Sequence, residues 1–199
     1  ANDIAFYFEE NEDGKPTQKI SYQHLHDEVC RLANVLKKFG VVKGDRVCIY
    51  LPMVPQAVYA LLACARIGAV HSVVFGGFSA QSLQDRINDS NCKVILTSDG
   101  AYRGNKQIPM KATVDEALNK CPGVEKVLVF KRTNENVFLK TGRDYDWETE
   151  AKKQPAVCTP TITDSEDPLF ILYTSGSTGK PGGRRRARWC PTPWSRSTT

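Results

Sequence analysis

Short apolar runs alternate with stretches in which apolar residues recur at helical spacing. Residues 4–8 and 19–20 read as extended segments. Ser21 then stands as an N-cap before Tyr22, Leu25, Val29, Leu32, Ala33, Leu36 and Phe39, and Gly40 can end that helix. Residues 46–51 (RVCIYL) predict a buried strand, and residues 55–67 a mostly apolar helix closed by Gly68. A second strand is expected over 70–75, followed by a glycine turn and a helix opened near Ser79. Residues 93–97 (KVILT), 114–118 and 126–130 (KVLVF) continue as strand, helix and strand. Residues 131–167 are more polar and contain prolines, which predicts a looped connection before a last buried strand at 168–173 (PLFILY). Short strands alternating with helices imply βαβ units, hence an α/β fold with a mainly parallel, doubly wound sheet. Ligands gather at the carboxyl ends of such strands, which directs attention to the loops at 75–78, 98–106 and 174–180.

Charge changes this picture only at one end. The chain of 199 residues carries 27 Lys and Arg against 22 Asp and Glu. Arg184, Arg185, Arg186, Arg188 and Arg196 account for the whole excess, and no acid follows Asp167. Residues 1–183 are therefore neutral, and the body shows no electrostatic footprint for nucleic acid. A hydrophobic share of 41% fits a globular chain with a core. The seven cysteines include no C-x-x-C pair, and several lie in apolar runs where a thiol behaves as a small hydrophobe. That argues for a reducing compartment (cytoplasm, with nucleus and mitochondrial matrix equally compatible) and against a disulfide framework or zinc site. No apolar run approaches the roughly 20 residues of a membrane helix, so no membrane partner is expected.

The densest candidate chemistry is Thr174, Ser175, Gly176, Ser177, Thr178, Gly179 and Lys180, reached directly from the strand at 168–173. Glycines let backbone N–H groups converge on an anion, hydroxyls add donors, and lysine supplies a point charge for phosphate oxygens. An ordinary Ser/Gly turn is the plain alternative, but the strand and the lysine favour phosphate. It is not a Walker A loop, because only two residues separate Gly176 from Gly179 and Pro181 follows Lys180.

This segment resembles the signature loop of the adenylate-forming superfamily. The stretches GDRVCIYLPMVPQAVYALLACARIGAVHSVVFGGFSAQSL (44–83), CKVILTSDGAYRGNKQIPMK (92–111) and DSEDPLFILYTSGSTGKP (164–181) are similar to its acetyl-CoA synthetase family. The resemblance implies an acetate–CoA ligase using acetate, ATP, coenzyme A and Mg2+, with residues 1–181 forming part of the AMP-binding large domain. It implies that residues 174–180 hold the β- and γ-phosphates with magnesium. It assigns Arg103, Gly104, Asn105 and Lys106 to coenzyme A, and Phe75, Gly76 and Gly77 to the coenzyme's nucleotide end. Members often carry arginine where Lys106 stands, and lysine keeps the charge but loses the bidentate fork. By spacing alone, Arg103 and Lys106 are a common surface cation pair, and Phe75 to Gly77 a strand-to-helix turn.

Other polar residues read as structural. His71, within VHSVVF, is expected to be a hydrogen-bonded core histidine, His24 and His26 to lie on the exposed part of the first helix, and Asp164 and Glu166 to be solvated. No nucleophile–base arrangement is present, and adenylation depends on positioning and charge stabilisation instead. No catalytic residue and no metal ligand is assigned.

After Pro181 the family continues with a second lysine and glycine, where this chain has Gly182 and an arginine-rich run. The sequence predicts a disordered basic tail over 182–199, explained either by a shifted reading frame or by a truncated, non-catalytic isoform whose tail binds RNA or an acidic partner. By resemblance the adenine, acetate and catalytic-lysine regions lie further on, so ligation by these residues alone is not expected. A propionate or other short-chain acyl ligase is the alternative within the superfamily. A sheet ending at 168–173 would also leave an open edge that invites aggregation.

Overall fold

The computed structural model describes residues 3–10, 15–104, 106–175 and 181–188. A hairpin of β1 (Ile4–Phe8) and β2 (Gln18–Ser21) leads into α1 (Tyr22–Lys38). There follow β3 (Arg46–Tyr50), α2 (Pro55–Ile67), β4 (Val70–Val73), α3 (Ala80–Ser90) and β5 (Val94–Ser98). A small hairpin, β6 (Ala101–Arg103) and β7 (Lys106–Ile108), precedes α4 (Met110–Leu118) and β8 (Lys126–Phe130). The chain continues through β9 (Asp144–Asp146), α5 (Trp147–Lys152), β10 (Pro168–Ser175) and β11 (Pro181–Arg188).

Local chemistry explains the helix ends. The Ser21 hydroxyl accepts from the His24 amide at 3.2 Å, and Ser79 Oγ accepts from the Ser82 amide at 3.3 Å. Pro55 opens α2, where its missing N–H costs nothing, and Gly68 closes it at φ 70°.

Among the described residues the main sheet has seven strands in the order β11-β10-β4-β3-β5-β8-β9, all parallel to their neighbours except β11. Alternate residues of the central strands enter opposite cores. Val47, Ile49, Val94, Leu96 and Leu128 pack with α1, α2 and α5. Cys48, Tyr50, Ile95, Val127 and Val129 pack with α3 and α4. Helices on both faces make the sheet doubly wound, as the apolar pattern predicts.

Three expectations change. Residues 131–167 are not only loop: β9 pairs on β8, and Trp147 of α5 packs edge-on to Phe130 at 6.2 Å between ring centroids. The basic tail, expected to be disordered from residue 182, contributes residues 182–188 to β11 antiparallel to β10. Strand pairing uses backbone groups alone, so an arginine-rich segment can still cover the open edge of β10; residues 189–199 lie outside the described residues. His71 is buried and stacks on Phe170, with 5.7 Å between centroids, but its Nδ1 has no hydrogen-bond partner among the described residues. Burial pushes its pKa down to about 4, so the ring is neutral.

Candidate functional site

The winding of the sheet creates a crevice. β3 leaves through α2 toward one face, while its neighbour β4 leaves through α3 toward the other. Strands that diverge in this way open a gap outside their carboxyl ends. A cavity of about 200 Å³ lies there, lined by residues 51–54 after β3, residues 75–77 after β4, residues 101–103 and Ile108 of the small hairpin, Arg132 after β8, and Phe8 of β1.

The turn after β4 is pinned from below. Tyr50 is fully buried, and its hydroxyl lies 3.2 Å from the carbonyl oxygens of both Gly76 and Phe78, to which it donates. Burial raises the phenol pKa, which keeps that donor protonated. Gly77 permits a close approach: a Cβ there would sit 2.7 Å from the Phe75 ring. Phe75 is 62% exposed at the cavity rim and meets Phe78 edge-to-face, with 5.9 Å between centroids. The Arg86 guanidinium lies 4.5 Å over the Phe78 ring.

The opposite wall is the small hairpin. Arg103 pairs in register with Lys106 across the turn at Gly104, whose φ is 56°. Both cations are exposed, and among the described residues neither has an anionic partner. Arg103 lines the cavity with Phe75, Gly76 and Gly77, whereas Lys106 is outside its lining. Residues from two separate sequence candidates thus line one cavity. Asn105 lies outside the described residues. Thr174 and Ser175 end β10, which runs parallel to β4 and so finishes at the same end of the sheet. Gly176, Ser177, Thr178, Gly179 and Lys180 lie outside the described residues.

Two residues of this region escaped the sequence reading. Asp99 is 2% exposed and follows β5. Its Oδ1 accepts from the amides of Gly100 at 2.7 Å, Arg132 at 2.7 Å and Thr133 at 3.1 Å, and its Oδ2 accepts from Thr133 at 3.2 Å and Glu135 at 3.0 Å. The loop after β8 is thereby tied to the base of the hairpin. An Asp-Gly pair at a strand end was the available signal, because aspartate there readily accepts from nearby amides. Nothing in sequence pointed to Arg132, which reaches the cavity through that tie.

Among the described residues no group of three or more His, Cys, Asp or Glu could hold a metal ion, and no helix is long and apolar enough to cross a membrane.

Comparison with known proteins agrees with this architecture. The family model described as AMP-binding enzyme matches residues 1–183. The chain is 58% identical over 184 residues to an acetyl-coenzyme A synthetase of Saccharophagus degradans, covering 92% of this chain and 28% of that protein. It is 59% identical over 174 residues to one of Parvibaculum lavamentivorans, covering 87% of this chain and 27% of that protein. The solved acetoacetyl-CoA synthetase from Streptomyces lividans superposes with a TM-score of 0.76 at 34% identity, covering 83% of this chain and 25% of that one. The chain therefore spans little more than a quarter of the length of these relatives.

Proposed function

Since the chain belongs to the AMP-binding enzyme family, we propose that it is part of an acetate–CoA ligase, with residues 1–181 contributing to the large domain. In that reaction a carboxylate oxygen of acetate attacks the α-phosphorus of ATP, forming acetyl-AMP and releasing pyrophosphate. The thiolate of coenzyme A then attacks the acetyl carbonyl, and AMP leaves. Neither step needs a protein nucleophile, so the protein's work is positioning and charge stabilisation.

One observation carries the reading. Phe75, Gly76, Gly77 and Arg103 come from separate turns of the chain and meet in one cavity at the divergence of β3 and β4. The apolar walls suit a base or a pantetheine arm, and Arg103, with Gly104, Asn105 and Lys106 beside it, suits the coenzyme's phosphates. Residues 174–180 would hold the β- and γ-phosphates of ATP. The described residues offer no acidic magnesium cradle, so Mg2+ is assigned no ligand here; it would accompany the triphosphate. Acetate is preferred over a longer acyl group because the relatives named for acetyl-CoA are 58% and 59% identical, against 34% for the acetoacetyl-CoA synthetase. Cys30, Cys48, Cys64, Cys92, Cys121 and Cys158 are free and buried, which favours a reducing compartment such as the cytoplasm.

Calorimetric titration of coenzyme A into the chain tests the site. Saturable binding is expected, and Arg103→Ala should weaken it about tenfold, equivalent to about 1.4 kcal/mol. A flat titration with the folded wild-type chain would remove the coenzyme assignment.

A further inference from the structure

The cavity holds a second cation that the reading above does not use. Arg132 stands on the loop after β8, 29 positions beyond Arg103, yet both line the same space. Its side chain is 14% exposed, and its guanidinium lies 5.6 Å from the centroid of the Tyr102 ring. Nη1 donates to Glu10 Oε2 at 2.9 Å. Among the described residues no other donor of the guanidinium has a partner, and an arginine has five N–H donors in all.

Glu10 engages one of these donors. The same carboxylate oxygen also accepts from Lys15 at 2.9 Å, so one anion is shared between two cations. Lys15 and then Arg132 hold the Glu10 carboxyl below its usual range. The remaining guanidinium donors therefore lie beside an aromatic wall, in a partly enclosed space where Coulomb attraction is screened less than in bulk water.

We infer that Arg132 is a further phosphate-binding residue of the coenzyme site and that Asp99 is its positioning residue. The inference rests on the coenzyme reading of the cavity. Asp99 uses backbone amides only, so it fixes where the loop runs without consuming the arginine side chain. Arg103 from the hairpin and Arg132 from the loop then face a multiply charged phosphate end from two sides, while Phe8 and Tyr102 offer ring surface to its base. The chemical class recognised is a phosphorylated nucleotide, here the nucleotide end of coenzyme A.

The test is calorimetric titration of coenzyme A into five forms of the full chain: wild type, Arg132→Met, Arg132→Lys, Glu10→Gln and Asp99→Asn. Arg132→Met should weaken binding about tenfold, and Arg132→Lys should recover part of the loss by restoring charge without the fork. Glu10→Gln should bind as tightly as wild type or tighter, because it releases the guanidinium; a purely structural ion pair would instead make Glu10→Gln and Arg132→Met equally harmful. Asp99→Asn should reproduce the Arg132→Met loss and speed amide hydrogen exchange at Arg132, Thr133 and Glu135. Wild-type affinity in Arg132→Met overturns this inference and leaves the coenzyme site standing. Absence of binding by the wild-type chain overturns both.

Discussion

Two buried carboxylates, one at the amino end of β9 and one just past the carboxyl end of β5, are held in different ways. Asp144 opens β9 at the sheet edge with a side chain 0% exposed, and it is met by charges: Lys111 Nζ at 2.9 Å and the guanidinium of Arg143. Lys111 is itself 1% exposed and also pairs with Asp115 at 2.6 Å. Asp99, at the end of β5, is met by main-chain amides alone. The first arrangement closes on itself: every charge is answered inside it, so it can stabilise the edge but offers nothing to a ligand. The second holds a loop in place and leaves the cation on that loop facing a cavity. Buried charge that is fully paired acts as a structural clamp, whereas backbone capture that leaves most of a guanidinium's donors facing a cavity is the arrangement on which the coenzyme proposal rests.

The contrast can be broken most severely at the clamp. Lys111→Met removes an enclosed partner of Asp144, and breaking such a pair from one side costs about 3–5 kcal/mol. Urea unfolding should show that loss, and an unchanged midpoint would mean that Arg143 alone satisfies the edge.

Acid provides the next largest effect, from a group belonging to neither arrangement. His71 has a folded pKa of about 4 against an ordinary value of 6.5. Below pH 6.5 the unfolded chain gains a proton that the folded one refuses, so stability falls as pH drops toward 4 and this contribution levels off beneath it. The loss amounts to roughly 3 kcal/mol. His71→Leu should flatten that interval of a pH–stability curve. Asp144, whose pKa is lowered by its Arg143 and Lys111 partners against the opposing effect of burial, contributes stability present above its unfolded pKa and lost as pH falls through its folded value. That lower leg should survive in His71→Leu and disappear in Asp144→Leu.

The smallest stability effect is expected at the site. Gly77→Ala places a methyl group 2.7 Å from the Phe75 ring, which is exposed and can turn away. Unfolding free energy should change by less than about 0.5 kcal/mol, while coenzyme A affinity falls several-fold as the cavity rim shifts. Equal damage to stability would place this turn with the clamp.

Legibility in the sequence followed the range of the forces involved. Helix α2 was readable at both ends, because Pro55 and Gly68 act through their own backbone conformations. The central strands were readable because their apolar runs are buried on both faces. Strand β9 and helix α5 were not, since DYD and WETEAK are short and polar and exist through pairing on β8 and the anchoring of Trp147. The candidate residues Phe75, Gly76, Gly77 and Arg103 were named from resemblance; Asp99 and Arg132 were missed because neither carries a local pattern that announces its partner.

What the sequence by itself determined is the central strands and the longer helices with their caps, the neutral body with its basic end, and the kinds of side chain available to a phosphate. These depend on periodicity, backbone preference and composition, all of which act over a few residues. The tertiary structure alone decided that β4 and β5 lie on either side of β3, that α1, α2 and α5 pack on one face and α3 and α4 on the other, and that turns from β3, β4, β5 and β8 therefore open onto one cavity. The physical reason is that strand order follows from how amphipathic helices bury their faces against a twisted sheet, a condition satisfied by the folded chain as a whole and by no segment separately.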